Sequence, residues 1–231
     1  MTTKSIALFD LDGTLYRGFT WQALREYYEL HRFKLFSLYK FLFAHLPLFM
    51  LYKIKLAPRD LVYTAWGKNM AWLLQDVPLE DATTIWNWIV EQNYLPHIRP
   101  EMKAALEEHL AEGMEIAILS GSFQQLLEPF ADRLNIAHVM GTPLAVNGNT
   151  YTGRIVEPLN VGQWKLDRLN AFFEKQADSY ELENSYFYTD SIVDLPVMEI
   201  VGHPVAVYPD QQLATIAEQR GWQIIGEPHA H

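Results

Sequence analysis

The chain of 231 residues contains no cysteine. This absence excludes disulfides, thiolate metal sites and a cysteine nucleophile, and it is typical of a reducing compartment. Basic residues are also in deficit, because 18 Lys and Arg against 28 Asp and Glu give a formal net charge of -10. A nucleic-acid-binding protein normally carries a basic surface. We therefore expect no nucleic-acid partner.

Long hydrophobic runs are scarce as well. The first apolar run, Ile6–Phe9, ends at Asp10 and is too short for a signal peptide. The most apolar stretch is Phe33–Leu56, but its longest uncharged run, Phe41–Tyr52, is interrupted by Pro47. A membrane-spanning helix needs about 20 apolar residues. The sequence therefore predicts a cytoplasmic protein without a membrane span.

Beyond residue 100, short apolar runs alternate with helical patterns. The runs Ile116–Leu119, Tyr186–Thr189 and Pro204–Tyr208 are typical of buried strands, and residues 101–112 and 162–174 have helical periodicity. Asn147-Gly148, between Val139–Val146 and Thr152–Val156, predicts a hairpin. Alternating strands and helices predict an α/β fold with a Rossmann-like core and a mostly parallel sheet.

A different pattern separates the first strand from this core. From Thr20 to about Glu91 the sequence is helical and aromatic, and prolines at 47, 58 and 78 predict at least three helices. We interpret this stretch as a small all-helical cap inserted after the first strand. The predicted domains are a core of residues 1–18 and 95–231 and a cap of residues 19–94.

Three of the predicted strands end in polar groups suited to phosphate chemistry. Asp10-Leu11-Asp12-Gly13-Thr14 follows the first strand, Ser120-Gly121-Ser122 the second, and Asp190 to Asp194 the third. Ligands of open α/β sheets bind beyond the carboxyl ends of the strands, so these groups are expected to meet in one crevice. Lys165, near the start of a predicted helix, supplies a cation to the same place.

These residue types match the needs of phosphoryl transfer. Magnesium takes oxygen ligands and only a few from protein, which Asp10, Asp190 and the Asp12 carbonyl could provide. Lys165, the Ser120 hydroxyl and backbone N–H groups nearby, such as that of Gly121, could hold the phosphate oxygens.

Two of the carboxylates suit the covalent steps. A carboxylate nucleophile forms an acyl phosphate and divides one difficult step into two easier ones. Asp12, two residues after Asp10, could protonate the leaving alkoxide and later accept a proton from water.

The pattern resembles the haloacid dehalogenase superfamily, specifically the phosphoserine-phosphatase-like branch of its subfamily IB. Asp10–Thr14 matches the family's first motif, Ser120 the second, Lys165 the third, and Asp190 with Asp194 the fourth. The resemblance implies a cap that closes over the site and selects substrate. It also implies roles for individual residues: Asp10 as nucleophile and metal ligand, Asp12 as acid/base and backbone ligand, Asp190 as metal ligand, Ser120 and Lys165 on the phosphate, and Asp194 orienting Lys165 or a metal-bound water.

Two positions depart from that branch. A Glu that reads the substrate's amino group is replaced here by Phe19, and an Asn before the last Asp is replaced by Val193. The first departure weighs against phosphoserine as substrate. The second affects the details of phosphate binding.

We therefore predict a Mg²⁺-dependent phosphatase acting on a small phosphorylated metabolite through an aspartyl-phosphate on Asp10. Residues 30–59 contain six Lys and Arg and no Asp or Glu, which leaves open an alternative. This segment could contact a membrane, with a lysophosphatidate or phosphatidylglycerol phosphate as substrate. It could instead pack within the cap, form a homodimer contact or steer phosphorylated metabolites inward. Further alternatives are a phosphotransferase and a non-catalytic phosphate-binding protein.

Overall fold

The structure, a computed structural model, describes residues 3–176 and 179–228. Its strands are β1 (Thr3–Lys4), β2 (Ile6–Phe9), β3 (Glu115–Phe123), β4 (His138–Thr142), β5 (Leu144–Asn147), β6 (Thr150–Ile155), β7 (Ser179–Tyr180), β8 (Tyr186–Thr189), β9 (His203–Val207) and β10 (Gln223–Ile225). Its α-helices are α1 (Thr20–Leu30), α2 (Leu35–Lys53), α3 (Arg59–Asn69), α4 (Leu79–Ile89), α5 (Pro100–Ala111), α6 (Gln124–Leu134), α7 (Gln163–Phe173), α8 (Leu195–Met198) and α9 (Gln211–Arg220).

The main sheet has six strands in the order β10-β9-β8-β2-β3-β4. Every pairing between neighbours in this sheet is parallel. Strand β2 lies between β3 and β8, and its four apolar residues are fully buried. A continuous apolar run is what a central parallel strand requires, because both of its faces are covered. The predicted α/β fold with a mostly parallel sheet is confirmed.

Alternate residues of each central strand enter two different hydrophobic clusters. Ala7 and Phe9 of β2 join one cluster, together with residues of α5 and α6. Ile6 and Leu8 join the other, together with residues of α7, α8 and α9. The period of two follows from the pleat of the strand. The core therefore has three layers, with helices on both faces of the sheet.

The chain changes direction across the sheet at β2. It first adds β3 and β4 on one side of β2, and later adds β8, β9 and β10 on the other. This order creates a topological switch point between β2 and its neighbours, where ligands of open α/β sheets bind. The loops after β2, β3 and β8 all open at this point.

Helices α1 to α4 occupy the stretch between β2 and the core strand β3, as the sequence predicts. Their buried residues, such as Tyr28, Leu74 and Ile89, belong to the same cluster as Phe9. The insertion therefore packs directly on one face of the core. Its limits at residues 19 and 94, and its action as a cap, stay predictions.

The expectation that Pro47 breaks a helix is wrong. It lies inside α2, which runs uninterrupted for 19 residues. A proline at this position removes the bond to the Phe43 carbonyl. Both Pro47 and Phe43 are exposed, so water can satisfy that carbonyl.

The length of α2 also changes the assessment of the apolar stretch. In the described part of the chain, Leu35–Lys53 is the one helix long and apolar enough to cross a membrane by length and composition alone. Core helices of soluble proteins and signal sequences can have the same length and apolar composition. The uncharged run Phe41–Tyr52 therefore underestimates the length of the apolar helix, which extends from Leu35 to Lys53.

The predicted hairpin at Asn147-Gly148 is confirmed as β5 and β6, which pair antiparallel. Its first arm is shorter than expected, because residues 139–142 belong instead to β4 and pair with β3. Tyr151 on the second arm exchanges backbone hydrogen bonds with Asp76 and Val77. The hairpin is thereby joined to the helical insertion.

Candidate active site

The segment after β2 turns sharply at the edge of the sheet. Asp10 N donates to the Tyr188 carbonyl at 2.9 Å, which holds Asp10 beside the end of β8. Gly13 has a φ of +81°, and a Cβ at this position would overlap the Asp190 carboxylate. The turn therefore requires glycine both for its backbone conformation and for the close approach of Asp190.

Lys165 joins two of the predicted site carboxylates. Its ammonium Nζ donates to Asp10 Oδ1 at 2.9 Å and to Asp194 Oδ2 at 2.7 Å. Thr189 Oγ1 donates to the same Asp194 oxygen at 2.7 Å. Burial alone would lower the pKa of Lys165, but the Asp10 and Asp194 carboxylates raise it above its usual value. Lys165 is only 3% exposed and remains a buried ammonium.

Asp190 completes a cluster with a surplus of negative charge. Thr14 Oγ1 donates to Asp190 Oδ1 at a long 3.5 Å. Burial, followed by the nearby Asp10 and Asp194 carboxylates, raises the pKa of Asp190 well above its ordinary value. Burial also raises the pKa of Asp10, although the Lys165 ammonium opposes this shift. Three buried carboxylates therefore lie close together, and two of them are paired directly with the Lys165 ammonium.

The donor set fits a hard divalent cation. Asp10 and Asp190 offer buried carboxylate oxygens whose pKa values are raised. A divalent cation beside them would stabilise their ionised forms and lower these pKa values. Within the described residues no group of three or more His, Asp or Glu side chains is arranged as a metal site. Magnesium needs no such group, because it commonly takes one or two carboxylates and fills its other positions with waters and phosphate oxygens.

Asp12 lies in a separate hydrogen-bond network. Its Oδ1 accepts from Thr20 N at 2.9 Å and Thr20 Oγ1 at 2.8 Å, and its Oδ2 accepts from Ser122 Oγ at 3.3 Å. Tyr94 OH lies 2.7 Å from Thr20 Oγ1. Because Thr20 is the first residue of α1, the Asp12 carboxylate also caps the helix that begins the insertion.

The surroundings of Asp12 keep its proton available near neutral pH. Burial raises the pKa of Asp12 to about 7, while the hydrogen bonds from Thr20 act in the opposite direction. A carboxyl group with this pKa can both give and accept a proton under physiological conditions. Asp12 therefore differs chemically from Asp10, which is paired with Lys165.

The Ser120-Gly121 segment of β3 lies beside the end of β2, because Ile118 pairs with Phe9. Ser120 is buried, and its Oγ accepts from Ser122 N at 3.3 Å. The Gly121 carbonyl accepts from Thr142 Oγ1 at 2.9 Å. Strand β3 continues to Phe123 before α6 begins, so Ser120 does not cap that helix. Ser120 and Gly121 therefore lie inside β3 and not after its end as predicted, and their contact with phosphate stays a prediction.

Four residues around the site were not predicted. Thr20 and Tyr94 hold the Asp12 network, and Asn160 Nδ2 donates to the carbonyls of Ser120 at 2.9 Å and Met140 at 2.7 Å. Asp210 N donates to the Asp190 carbonyl at 2.7 Å.

The Asp210 side chain also accepts from Ile192 N at 3.1 Å. Its Oδ1 accepts from Gln212 N and Leu213 N and so caps α9. An Asp before a helical pattern is the one sequence signal that could have identified this residue.

The two departures from the family pattern lie close to this machinery. Phe19 is the N-cap residue of α1, immediately before Thr20. Val193 lies in the turn between Asp190 and Asp194, and its Cγ1 would be 3.4 Å from a Cβ added at Gly162. At both positions an apolar side chain stands where the resemblance to the phosphoserine-phosphatase-like branch implies a polar one.

Comparison with known proteins identifies the family of the chain. The family of haloacid dehalogenase-like hydrolases matches residues 7–199. A histidinol-phosphatase from Neisseria meningitidis is 29% identical over 133 residues, which are 57% of this chain and 60% of that protein. This chain thus matches 60% of the length of that relative.

Solved structures share the fold across nearly the whole chain. A protein of unknown function from Bordetella pertussis has a TM-score of 0.82 and 23% identity, covering 97% of this chain and 99% of its own. A phosphoserine phosphatase in its apo form has a TM-score of 0.64 and 16% identity, and the match covers 96% of this chain and 94% of that structure's chain. The chain belongs to the haloacid dehalogenase-like hydrolase family, as its motifs predict.

Proposed function

We propose that this protein is a magnesium-dependent phosphatase that hydrolyses phosphate monoesters through a covalent intermediate on Asp10. The family and its phosphatase-named relatives support the reaction class. The contrast between Asp10 and Asp12 is the observation that carries the assignment. One carboxylate is paired with a buried ammonium, and the other sits in a neutral network with a pKa of about 7. Two carboxyl groups with such different surroundings suit the roles of nucleophile and acid/base.

In the first half-reaction an Asp10 oxygen attacks phosphorus and forms an acyl-phosphate bond. The bond from phosphorus to the leaving oxygen breaks, and Asp12 gives its proton to that oxygen. Lys165, Ser120 and the Gly121 N–H hold the phosphate oxygens. The ester is thereby released as a neutral alcohol.

In the second half-reaction a water molecule attacks the phosphorus of the acyl phosphate. Asp12, now ionised, accepts the proton of that water, the bond to Asp10 breaks, and inorganic phosphate leaves. Both groups then return to their starting states. The Asp10 and Asp190 carboxylates and the Asp12 carbonyl would hold magnesium, which would neutralise phosphate charge.

The proposal is tested with p-nitrophenyl phosphate and three variants. Asp10→Asn removes the nucleophile and should lower kcat by about four orders of magnitude or more. Asp12→Asn should severely slow turnover. Asp167→Asn, on the exposed side of α7, is the matched control and should keep full activity. Chelation should abolish activity, and added Mg²⁺ should restore it.

The decisive outcome concerns Asp10. Turnover at the wild-type rate in Asp10→Asn would exclude the nucleophile assignment. Trapping ³²P-labelled protein by acid quench of Asp12→Asn, but not of the double variant with Asp10→Asn, would support it directly.

We further propose a small phosphorylated metabolite as the substrate. Phe19 at the start of α1 argues against phosphoserine, since it cannot bind an ammonium as a carboxylate would. Histidinol phosphate is a candidate because a relative carries that activity in its name. Measuring the phosphate released from histidinol phosphate, phosphoserine, sugar phosphates and lipid phosphates would identify the class of substrate. We also propose that the protein acts in the cytoplasm.

A phospholipid-type phosphate ester is the second candidate. It is favoured by a specific observation, the large apolar surface that α2 exposes.

Transfer of the phosphoryl group to an alcohol rather than to water is a separate question. It is tested by adding glycerol to the assay and comparing the release of alcohol with the release of phosphate. Equal amounts of the two products would indicate hydrolysis.

A further inference from the structure

Helix α2 is apolar on two opposite sides. Leu38, Phe41 and His45 are the buried residues of this helix and face the protein. On the opposite side lies a set that we name the α2 face: Phe36, Phe43 and Met50 of the helix, with Ile54, its C-cap residue. With about 100° per residue, these four positions fall within about 40° of one another around the helix axis.

The α2 face consists of large apolar side chains that are exposed to solvent. Phe36 is 82% exposed and Phe43 is 70% exposed. Met50 and Ile54 are also exposed, and Tyr39, Leu46 and Leu51 extend the surface on both sides. Single exposed apolar residues are ordinary, but a contiguous patch of aromatic and aliphatic side chains marks an interaction surface.

The helix is nevertheless fixed to the protein through its other side. His45 Nε2 lies 3.0 Å from Nδ2 of Asn69 on α3. The rings of Phe41 and Trp66 pack with their centroids 4.7 Å apart. A transmembrane arrangement would have to break these contacts, whereas contact through the α2 face preserves them.

The segment that contains the α2 face carries charge of one sign. Residues 30–59 contain six basic residues and no acidic ones, in a chain of net charge -10. Lys40 lies on the exposed side of the helix, and Lys53 Nζ lies 5.3 Å from the centroid of the Phe49 ring. Exposed aromatics beside lysines are typical of helices that lie in the interface of an anionic membrane.

We propose that the α2 face binds the surface of an anionic phospholipid bilayer, with α2 lying in the membrane plane. Phe36, Phe43 and Met50 enter the headgroup region, and the lysines contact anionic headgroups. A second copy of the chain fits less well. A two-fold contact would bring the same basic segment of each copy together without an acidic residue to pair with it. This docking does not depend on the proposed catalytic activity.

Vesicle flotation tests the proposal with the full chain. We expect binding to vesicles of phosphatidylcholine with 30% phosphatidylglycerol, weak binding to pure phosphatidylcholine, and release from the anionic vesicles as salt is raised. The double variant Lys40→Glu with Lys53→Glu should lower partitioning by about tenfold or more. Phe36→Ser with Phe43→Ser should abolish it.

The controls are matched in chemistry and placed on α5. Lys103→Glu changes an exposed charge, and Leu110→Ser changes an exposed apolar residue. Both should bind vesicles like the wild type. Turnover of p-nitrophenyl phosphate, or circular dichroism if the protein shows no turnover, verifies that each variant is folded.

Three results would overturn the proposal. The first is no flotation with anionic vesicles at low salt. The second is a homodimer, seen by sedimentation equilibrium, that becomes monomeric in the Phe36→Ser and Phe43→Ser variant, which would assign the face to a second copy. The third is equal binding of wild-type and charge-reversed protein.

Discussion

At the scale of single residues, the carboxylate of Asp12 is held by its own set of hydrogen bonds, although Asp12 is only two residues from Asp10 in the sequence. Its carboxylate accepts three hydrogen bonds, two from Thr20 and one from Ser122. Hydrogen bonds to the charged form lower a carboxyl pKa, and burial raises it. The pKa of about 7 is the balance of these effects, in which burial is the larger.

This balance gives a pH dependence with a definite sign. Asp12 must be protonated to release a poor leaving group, so the rate of the first half-reaction should fall as pH rises above about 7. Thr20→Val removes the hydroxyl donor, which should raise the pKa of Asp12 and move this alkaline limb to higher pH. It should also lower kcat by about tenfold to a thousandfold, because Asp12 is less well positioned.

The measurement is a pH profile of kcat with an alkyl phosphate, which requires protonation of its leaving group. The activated ester p-nitrophenyl phosphate should show a much weaker alkaline limb. Thr84→Val, at an exposed position of α4, is the control. An alkaline limb that stays in place in Thr20→Val would contradict the role of Thr20.

At the scale of elements, Asn160 connects β3, β4 and the loop that precedes α7. Its side chain donates to the end of β3 through the Ser120 carbonyl and to β4 through the Met140 carbonyl. Its backbone N donates to Thr142 Oγ1 at 3.0 Å. Asn160 therefore sets the position of the loop that leads to Lys165 relative to Ser120.

Asn160→Ala should leave two strand-end carbonyls without these buried partners. We expect a loss of about 1–3 kcal/mol in the free energy of unfolding, because an unsatisfied buried polar group costs about that much. Urea unfolding measures this change. Asn170→Ala, on the exposed side of α7, should change stability by less than about 0.5 kcal/mol.

Activity distinguishes two explanations for Asn160. If it only stabilises the fold, kcat at a temperature where both proteins are folded will be unchanged in Asn160→Ala. If it positions Ser120 against Lys165, kcat will fall even there.

The elements that carry the site could be predicted because their signals are local. Strands β2 and β8 are short apolar runs followed by motif acids, and the apolar run of β3 is followed within the same strand by the serines and glycine of a motif. Asn160 and Tyr94 could not be predicted, because their partners are distant in sequence: 40 residues separate Asn160 from Ser120, and 74 separate Tyr94 from Thr20. The continuation of α2 through Pro47 was missed because it depends on which side of the helix meets water.

At the scale of the whole molecule, Glu115 joins segments from widely separated parts of the chain. It begins β3, and its carboxylate accepts from Lys4 Nζ at 2.7 Å and from Tyr180 OH at 2.5 Å. His138 Nε2 on β4 lies 2.9 Å from Glu115 Oε2. This cluster therefore ties the paired strands β1 and β7 to the main sheet.

The cluster predicts how stability varies with pH. Burial acts to raise the pKa of Glu115, but the hydrogen bonds from Lys4, Tyr180 and His138 lower it to about 2. A carboxyl pKa depressed in the folded state adds stability above the unfolded value of 4.5. That stability is lost as pH falls toward 2.

Glu115→Gln should therefore lower the free energy of unfolding by about 1–3 kcal/mol at pH 7, since it removes hydrogen bonds to a charged acceptor. The difference from the wild type should shrink progressively between pH 4.5 and pH 3, because the wild type loses the same contribution there. Urea unfolding at pH 7, 4.5 and 3 measures it, with the exposed Glu107→Gln as control. A difference that stays constant across this range would show that Glu115 acts through packing rather than through its charge.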